Sequence, residues 1–310
     1  MPVRAAWLAG ASVVIAGCAG VDAQPRFEAA ALATATIKGL TGEQCRPAGD
    51  APLPAVVFVG GSEGGIGFAR EGARRACAAG FAALALPYWR YDGLPDALEE
   101  IPISYFETAI DRFAAQDFID ADRVGLAGYS RGSEAAILTA ADNDSVAAVA
   151  GLATGAVAGP NIDFSDFFDV EAAWTIGGEP VDYVTLREDR PGADWRDMMG
   201  DQPPPSPQRA RADFETLQTL EAFEAAALPI RRVEAPVLLL GAGDDAVWDS
   251  CGQAAFLAEA ARPEQSVETL CLEAAPHDVL APPDEGEADA PQAEEAWSRV
   301  IAFFRDALGA

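Results

Sequence analysis

Serine, acid and imidazole occur along this chain in the order that acyl transfer can use. Ser130 stands at the centre of Gly128-Tyr129-Ser130-Arg131-Gly132, and the chain's one histidine, His277, lies downstream with an acidic pair, Asp244 and Asp245, between them. A serine hydroxyl is a poor nucleophile near neutral pH, so it needs a base within hydrogen-bond reach and a third group to orient that base. A single imidazole leaves one candidate base of that type. Context supports the pentapeptide: Arg123-Val124-Gly125-Leu126-Ala127 reads as a short buried strand before it, and Ser133 to Ala141 reads as a helix after it. Strand, sharp glycine-flanked turn and helix is the arrangement that holds a serine above a sheet. The competing reading is a glycine-rich strand-helix turn without chemistry.

A second glycine-rich turn, Gly60-Gly61-Ser62-Glu63-Gly64-Gly65, follows the apolar run Ala55 to Val59. Such a loop can aim backbone N–H groups at a carbonyl oxygen that becomes negative in a transition state. The expected donors are the N–H groups of Ser62 and Arg131; Arg131 opens a helix, where N–H groups are unpaired and the dipole favours negative charge. Glu63 is the alternative for the first. The loop lacks a Gly-Lys-Ser/Thr ending and fits the dinucleotide fingerprint poorly, so no nucleotide cofactor is expected. One histidine and no Cys-x-x-Cys likewise give no metal site.

These groups need a scaffold, and alternating apolar runs supply one. Ala31 to Ile37 reads as an edge strand; Ala55 to Val59, Phe81 to Leu86, Val146 to Leu152, Pro236 to Leu240 and Ser266 to Leu272 read as strands. A helix lies between the second and third of these, another spans Tyr105 to Phe118, and a closing helix runs from Ala293 to Leu308. The class is α/β, a mainly parallel twisted sheet flanked by helices. From Gly151 to Pro236 the chain spends about eighty residues, more than a crossover helix needs. A cap insertion at about 160–230, before the acid-bearing strand, is expected there. Its Phe164, Phe167, Phe168, Trp174, Tyr183, Trp195, Met198 and Met199 either line an acyl pocket or form the cap's own core, and Arg209 to Ala227 reads as helix.

The N-terminus reads as a targeting segment. Arg4 precedes an apolar stretch, Ala5 to Ala16, too short to span a membrane. Ile15-Ala16-Gly17-Cys18 resembles a bacterial lipobox, so the expected layout is a signal peptide at 1–17, lipidation of Cys18, a linker and edge strand at 18–50, and the main domain at 51–310. The rival is ordinary secretion after Ala23. Either way the expected place is the cell envelope: a periplasm-facing membrane lipoprotein, or a soluble periplasmic or secreted protein. Export permits disulfides, and of three pairings Cys45–Cys77 with Cys251–Cys271 is the preferred one. Of 310 residues 50% are hydrophobic, ample for a core, and the net charge of −28 argues against nucleic acid and acidic membrane surfaces as partners.

Several segments together resemble the catalytic domain of the acyl-CoA thioester hydrolase and bile acid-CoA:amino acid N-acyltransferase family, in the α/β-hydrolase superfamily. They are the Gly60–Gly65 loop; Gly80-Phe81-Ala82 with Leu84 to Tyr88; Ile103 to Ala109; Gly128 to Glu134; Leu228-Pro229-Ile230; and Ala235 to Leu240 with Asp244 to Ser250. The resemblance spans roughly residues 53–283. It implies an α/β-hydrolase fold, Ser130 as nucleophile, His277 as general base and Asp245 as orienting acid. Distance to Trp248 and Ser250 favours Asp245, whereas spacing from Gly241 favours Asp244. Glu134 matches a family glutamate; dipole compensation at the helix start accounts for it equally.

Two departures from the family shape the expected activity. Members that acylate amino acids commonly use cysteine, so Ser130 points to hydrolysis; and Asp22 to Pro52 is too short for the immunoglobulin-like domain of the animal proteins. Acyl thioester hydrolysis of the acyl-CoA type leads. Arg187, Arg190 and Arg196 are the candidates to offset the acidic field for its phosphates. An exported carboxylic ester hydrolase similar to dienelactone hydrolases is the alternative, and a binding protein on the same fold the third.

Overall fold

The computed structural model describes residues 33–37, 40–49, 51–166, 169–186, 205–281 and 290–310. Segment 1–17, Cys18, Phe167, Phe168, Arg187, Arg190, Trp195, Arg196, Met198 and Met199 lie outside the described residues.

The central sheet takes its strands from the whole length of the chain. They are β1 (Ala33–Ile37), β2 (Leu40–Cys45), β3 (Leu53–Val59), β4 (Ala82–Ala85), β6 (Ile119–Tyr129), β7 (Ala148–Leu152), β10 (Val237–Ala242) and β11 (Val267–Leu272), in the order β1-β2-β4-β3-β6-β7-β10-β11. From β4 to β11 in that order every neighbouring pair is parallel. The strands β5 (Ile101–Pro102), β8 (Trp174–Ile176) and β9 (Glu179–Pro180) form a small second sheet. Parallel pairing needs crossover helices, and these cover both faces of the main sheet.

Strand residues alternate between those faces. Val57, Leu84, Leu126, Val149 and Leu239 share a core with Phe106 and Ile110 of α2 (Ile103–Ala114), Ile137 of α3 (Arg131–Asp142) and Leu257 of α6 (Ser250–Ala260). Val56, Phe58, Ala127, Ala150, Leu238 and Leu240 meet Phe68 and Ala73 of α1 (Gly67–Ala78) with Trp297, Val300 and Phe304 of α7 (Ala290–Leu308). With both faces covered, a run such as Val56-Val57-Phe58-Val59 is apolar at every position, and each side chain of this size stabilises the fold by about 1.5–3 kcal/mol when fully buried.

Some expectations need correction. The stretch read as linker after Ile37 holds a second strand, β2, paired antiparallel with both β1 and β4. Its sequence, Leu-Thr-Gly-Glu-Gln-Cys, is polar and carries a glycine, so no apolar periodicity marks it. The helix read over Arg209 to Ala227 is two helices, α4 (Pro207–Leu217) and α5 (Phe223–Ala226). The Thr219 hydroxyl donates to the Thr216 carbonyl at 2.7 Å, taking an acceptor that a continuing helix would use. At the other end Ser206 caps α4, accepting from the Arg209 N–H at 3.3 Å, with Pro207 in the first turn.

In the long crossover Trp174 is fully buried against Tyr88 and Phe106 of the main core rather than open to a pocket. Phe164 is 49% exposed, its ring parallel to that of Trp89.

The preferred cysteine pairing is the one observed. Cys45–Cys77 ties β2 to α1, and Cys251–Cys271 ties α6 to β11. Closing spans of 32 and 20 residues removes unfolded-state entropy worth roughly 3–4 kcal/mol each in the loop-entropy view. Reduction is expected to lower the thermal midpoint by roughly 10 °C or more, given about 2–4 °C per kcal/mol for a domain of this size. A calorimetric scan with and without reductant checks this.

Candidate functional site

The strand β6 runs directly into α3, and the single residue between them is Ser130. Its backbone sits at φ 53°, ψ −123°, a strained conformation for a residue with a Cβ. The flanking glycines are required by close approach: a Cβ on Gly128 would strike the Gly132 carbonyl, and a Cβ on Gly132 would strike the Gly60 carbonyl oxygen. Gly132→Ala is therefore expected to abolish or severely reduce soluble folded protein, read by yield and circular dichroism. The Ser130 N–H donates to the Leu152 carbonyl of β7 at 2.8 Å, which ties the turn to the sheet.

His277 reaches Ser130 from the loop after β11. Its Nε2 lies 3.0 Å from the Ser130 Oγ, and its Nδ1 lies 2.7 Å from Asp245 Oδ2. Asp245 follows β10 and is buried at 2% exposure, whereas Asp244 is exposed with no contact to His277, so geometry separates the acidic pair. The Asp245 carboxylate is held on both oxygens. Oδ1 accepts from the Val247 N–H at 2.9 Å and the Trp248 N–H at 3.1 Å; Oδ2 also accepts from the Ser250 hydroxyl at 2.7 Å. Ser250 Oγ in turn accepts from the Ala242 N–H at the end of β10 at 2.9 Å. Asp249 caps the helix beginning at Ser250, accepting from the Gly252 N–H at 3.2 Å.

Tyr129 and Trp248 brace the imidazole. The Tyr129 hydroxyl donates to the His277 carbonyl at 3.3 Å, and the Trp248 ring meets the imidazole edge to face at 5.2 Å. Burial, together with the Glu63, Asp278 and Asp245 carboxylates, pushes the Tyr129 phenol well above its ordinary range, which preserves the donor.

The glycine loop after β3 lies against Ser130; a Cβ on Gly61 would fall 2.7 Å from the Ser130 Cβ. Tyr88 Oη donates to the Gly60 carbonyl and Trp89 Nε1 to the Gly61 carbonyl, both at 3.0 Å. Burial, with Glu63 adding to it, raises the Tyr88 phenol well above its usual range, so this donor also persists. The Gly61 N–H is occupied by Glu63 Oε1 at 2.8 Å. The peptide joining Gly61 and Ser62 is planar and trans, so the Ser62 N–H points opposite to the Gly61 carbonyl and away from Trp89.

Arg131 is doubly placed. Its backbone opens α3, where first-turn N–H groups lack helical partners, and its side chain is buried at 6% exposure. The guanidinium donates to Glu134 Oε1 at 2.7 Å and to the carbonyls of Gly159 and Pro160 at 2.9 and 2.7 Å. Glu134 Oε2 accepts from Trp174 Nε1 at 2.8 Å and from the Gly159 N–H at 3.2 Å. Burial raises the Glu134 carboxyl above its ordinary range, against the opposing pull of Arg131, Trp174 and Gly159. The sequence did not mark the Tyr129 hydroxyl, or the reach of the Arg131 guanidinium beyond Glu134, because the carbonyls they meet, those of His277, Gly159 and Pro160, lie 148, 28 and 29 residues away.

No family model matches the chain. Its fold, however, recurs in solved structures: a Klebsiella pneumoniae protein assigned to the dienelactone hydrolases superposes with TM-score 0.54 at 18% identity, covering 86% of this chain and 92% of that one. An α/β-hydrolase from Penicillium sp. sh18 gives TM-score 0.54 at 11% identity, covering 87% and 95%. The chain has the α/β-hydrolase fold. In sequence it is similar to mouse bile acid-CoA:amino acid N-acyltransferase, 35% identical over 88 residues, which are 28% of this chain and 20% of that protein. Mouse mitochondrial acyl-coenzyme A thioesterase 2 is 24% identical over 282 residues, 83% of this chain and 56% of that protein. Mouse peroxisomal succinyl-coenzyme A thioesterase is 24% identical over 211 residues, 66% and 43% respectively. The resemblance read from the motifs thus extends to named relatives, and the chain spans between about a fifth and just over half of their lengths.

Proposed function

We propose that this α/β-hydrolase cleaves acyl thioesters of the acyl-CoA type through Ser130, His277 and Asp245 acting as a catalytic triad. The observation that carries the reading is the continuous chain of contacts from Ser130 Oγ through both imidazole nitrogens to a buried carboxylate. His277 takes the Ser130 proton as Oγ attacks the substrate carbonyl, and the N–H groups of Ser62 and Arg131 hold the oxyanion. The tetrahedral intermediate collapses, the C–S bond breaks, and His277 returns the proton to the leaving thiolate. Water then repeats the attack on the acyl-serine, giving the carboxylic acid and free Ser130. Asp245 keeps the imidazole in the tautomer with its proton on Nδ1.

The test is free-thiol release from a series of acyl-CoA substrates, with Ser130→Ala as control. Release by the wild-type protein that disappears in the variant supports the thioesterase; no release by folded protein contradicts it.

The paired cysteines favour a second reading. Two disulfides suit an oxidising compartment, away from cytoplasmic acyl-CoA, and so favour an exported carboxylic ester hydrolase using the same residues. On that reading Cys18 carries the lipid anchor at the envelope, tested by incorporation of labelled fatty acid and its loss in Cys18→Ala. Hydrolysis of aryl and alkyl esters in the absence of thiol release selects this alternative.

A further inference from the structure

Between the helix that carries Ser130 and the long crossover lies a buried polar knot that the chemistry above does not use. Glu134, at 1% exposure, collects three donors from three parts of the fold: the Arg131 guanidinium from its own helix turn, the Gly159 N–H from the start of the crossover, and the Trp174 indole from β8. Arg131 adds the Gly159 and Pro160 carbonyls. Gly159 fits because it has no side chain; a Cβ there would collide with the guanidinium. The neighbouring residues 156–158 are in turn a junction. The Ala156 carbonyl accepts from the Leu228 N–H, the Ala158 N–H donates to Ala226 and the Ala158 carbonyl accepts from the Val184 N–H, at 2.9, 2.8 and 3.1 Å. Ala156 N–H also donates to buried Gln253 on α6 at 2.7 Å.

Dipole compensation at a helix start needs none of this, and an exposed carboxylate would serve it as well. A carboxylate enclosed with a guanidinium and two N–H donors costs desolvation, which only matched geometry offsets. The backbone of Arg131 belongs to the same residue whose side chain is locked at both ends. We infer that Glu134 is a positioning residue: through Arg131, Gly159 and Trp174 it clamps the crossover onto the first turn of the nucleophile helix and fixes the Arg131 N–H where the oxyanion forms. The inference rests on the proposed role of that N–H. It assigns Glu134 an effect on the chemical step, beyond holding the fold.

Glu134→Gln removes the charge at nearly constant shape, and Trp174→Phe removes one donor while leaving the ion pair. In variants shown to be folded by circular dichroism, kcat on the hydrolysed ester or thioester is expected to fall tenfold or more for Glu134→Gln and about threefold for Trp174→Phe, on the scale of lost oxyanion stabilisation. KM should stay within twofold, and Glu134→Asp should recover part of kcat. A Glu134→Gln protein with wild-type kcat, or one whose loss lies wholly in KM or in thermal stability, overturns the inference. Should Glu134→Gln fail to fold, unchanged kcat in Trp174→Phe overturns it. Ser130→Ala run alongside keeps the two readings apart: activity that survives in Ser130→Ala refutes the triad, whereas activity lost there but intact in the Glu134 variant refutes the clamp alone.

Discussion

Replacing Ser130 with alanine is expected to lower turnover by on the order of 10⁴-fold or more while leaving the thermal midpoint almost unchanged. The size follows from the geometry. Among the described residues Ser130 Oγ is the one hydroxyl at hydrogen-bond distance from the chain's one imidazole, so no neighbouring group there replaces it. Stability is spared because, among the described residues, Oγ hydrogen-bonds His277 alone, and the tie to β7 runs through the Ser130 N–H, which alanine keeps. The strained φ of 53° persists with alanine, so no new strain is introduced. Steady-state kinetics together with a thermal melt check both halves of the prediction.

The second large effect separates two adjacent carboxylates. Asp245→Asn is expected to cost on the order of 10³–10⁴-fold in kcat, because an amide at that position donates where the imidazole must donate, and so favours the wrong tautomer. Asp244→Asn is expected to change kcat by less than about twofold, since Asp244 is exposed and meets neither His277 nor Ser250. Equal losses in the two variants would contradict the assignment. Ser250→Ala should fall between them: it removes the hydroxyl shared by Asp245 and the Ala242 N–H, leaving that buried N–H without this acceptor.

How much of this was legible beforehand follows from the range of each interaction. The parallel strands announced themselves because burial on both faces writes continuous apolar runs, as in Leu238-Leu239-Leu240. β2 escaped because its order comes from neighbours, the pairing with β1 and β4 and the Cys45–Cys77 link, rather than from its own residues. Ser130 and His277 stood out through rarity and spacing. The choice between Asp244 and Asp245 did not, because one residue of register decides which carboxylate turns inward, and that depends on the N–H groups of Val247 and Trp248. The Glu134 knot was hidden for a similar reason: Gly159 and Trp174 come to it by a crossover path that sequence periodicity does not encode.

The central claim is that Ser130 is an activated nucleophile beside a preorganised oxyanion site. Intact-mass spectrometry after exposure to a fluorophosphonate, with the modified residue located by peptide mapping, tests it without assuming a substrate. One adduct per chain on Ser130, absent from the Ser130→Ala variant and slowed in His277→Ala, is the predicted result. No adduct on folded protein, or an adduct on another residue, would contradict it.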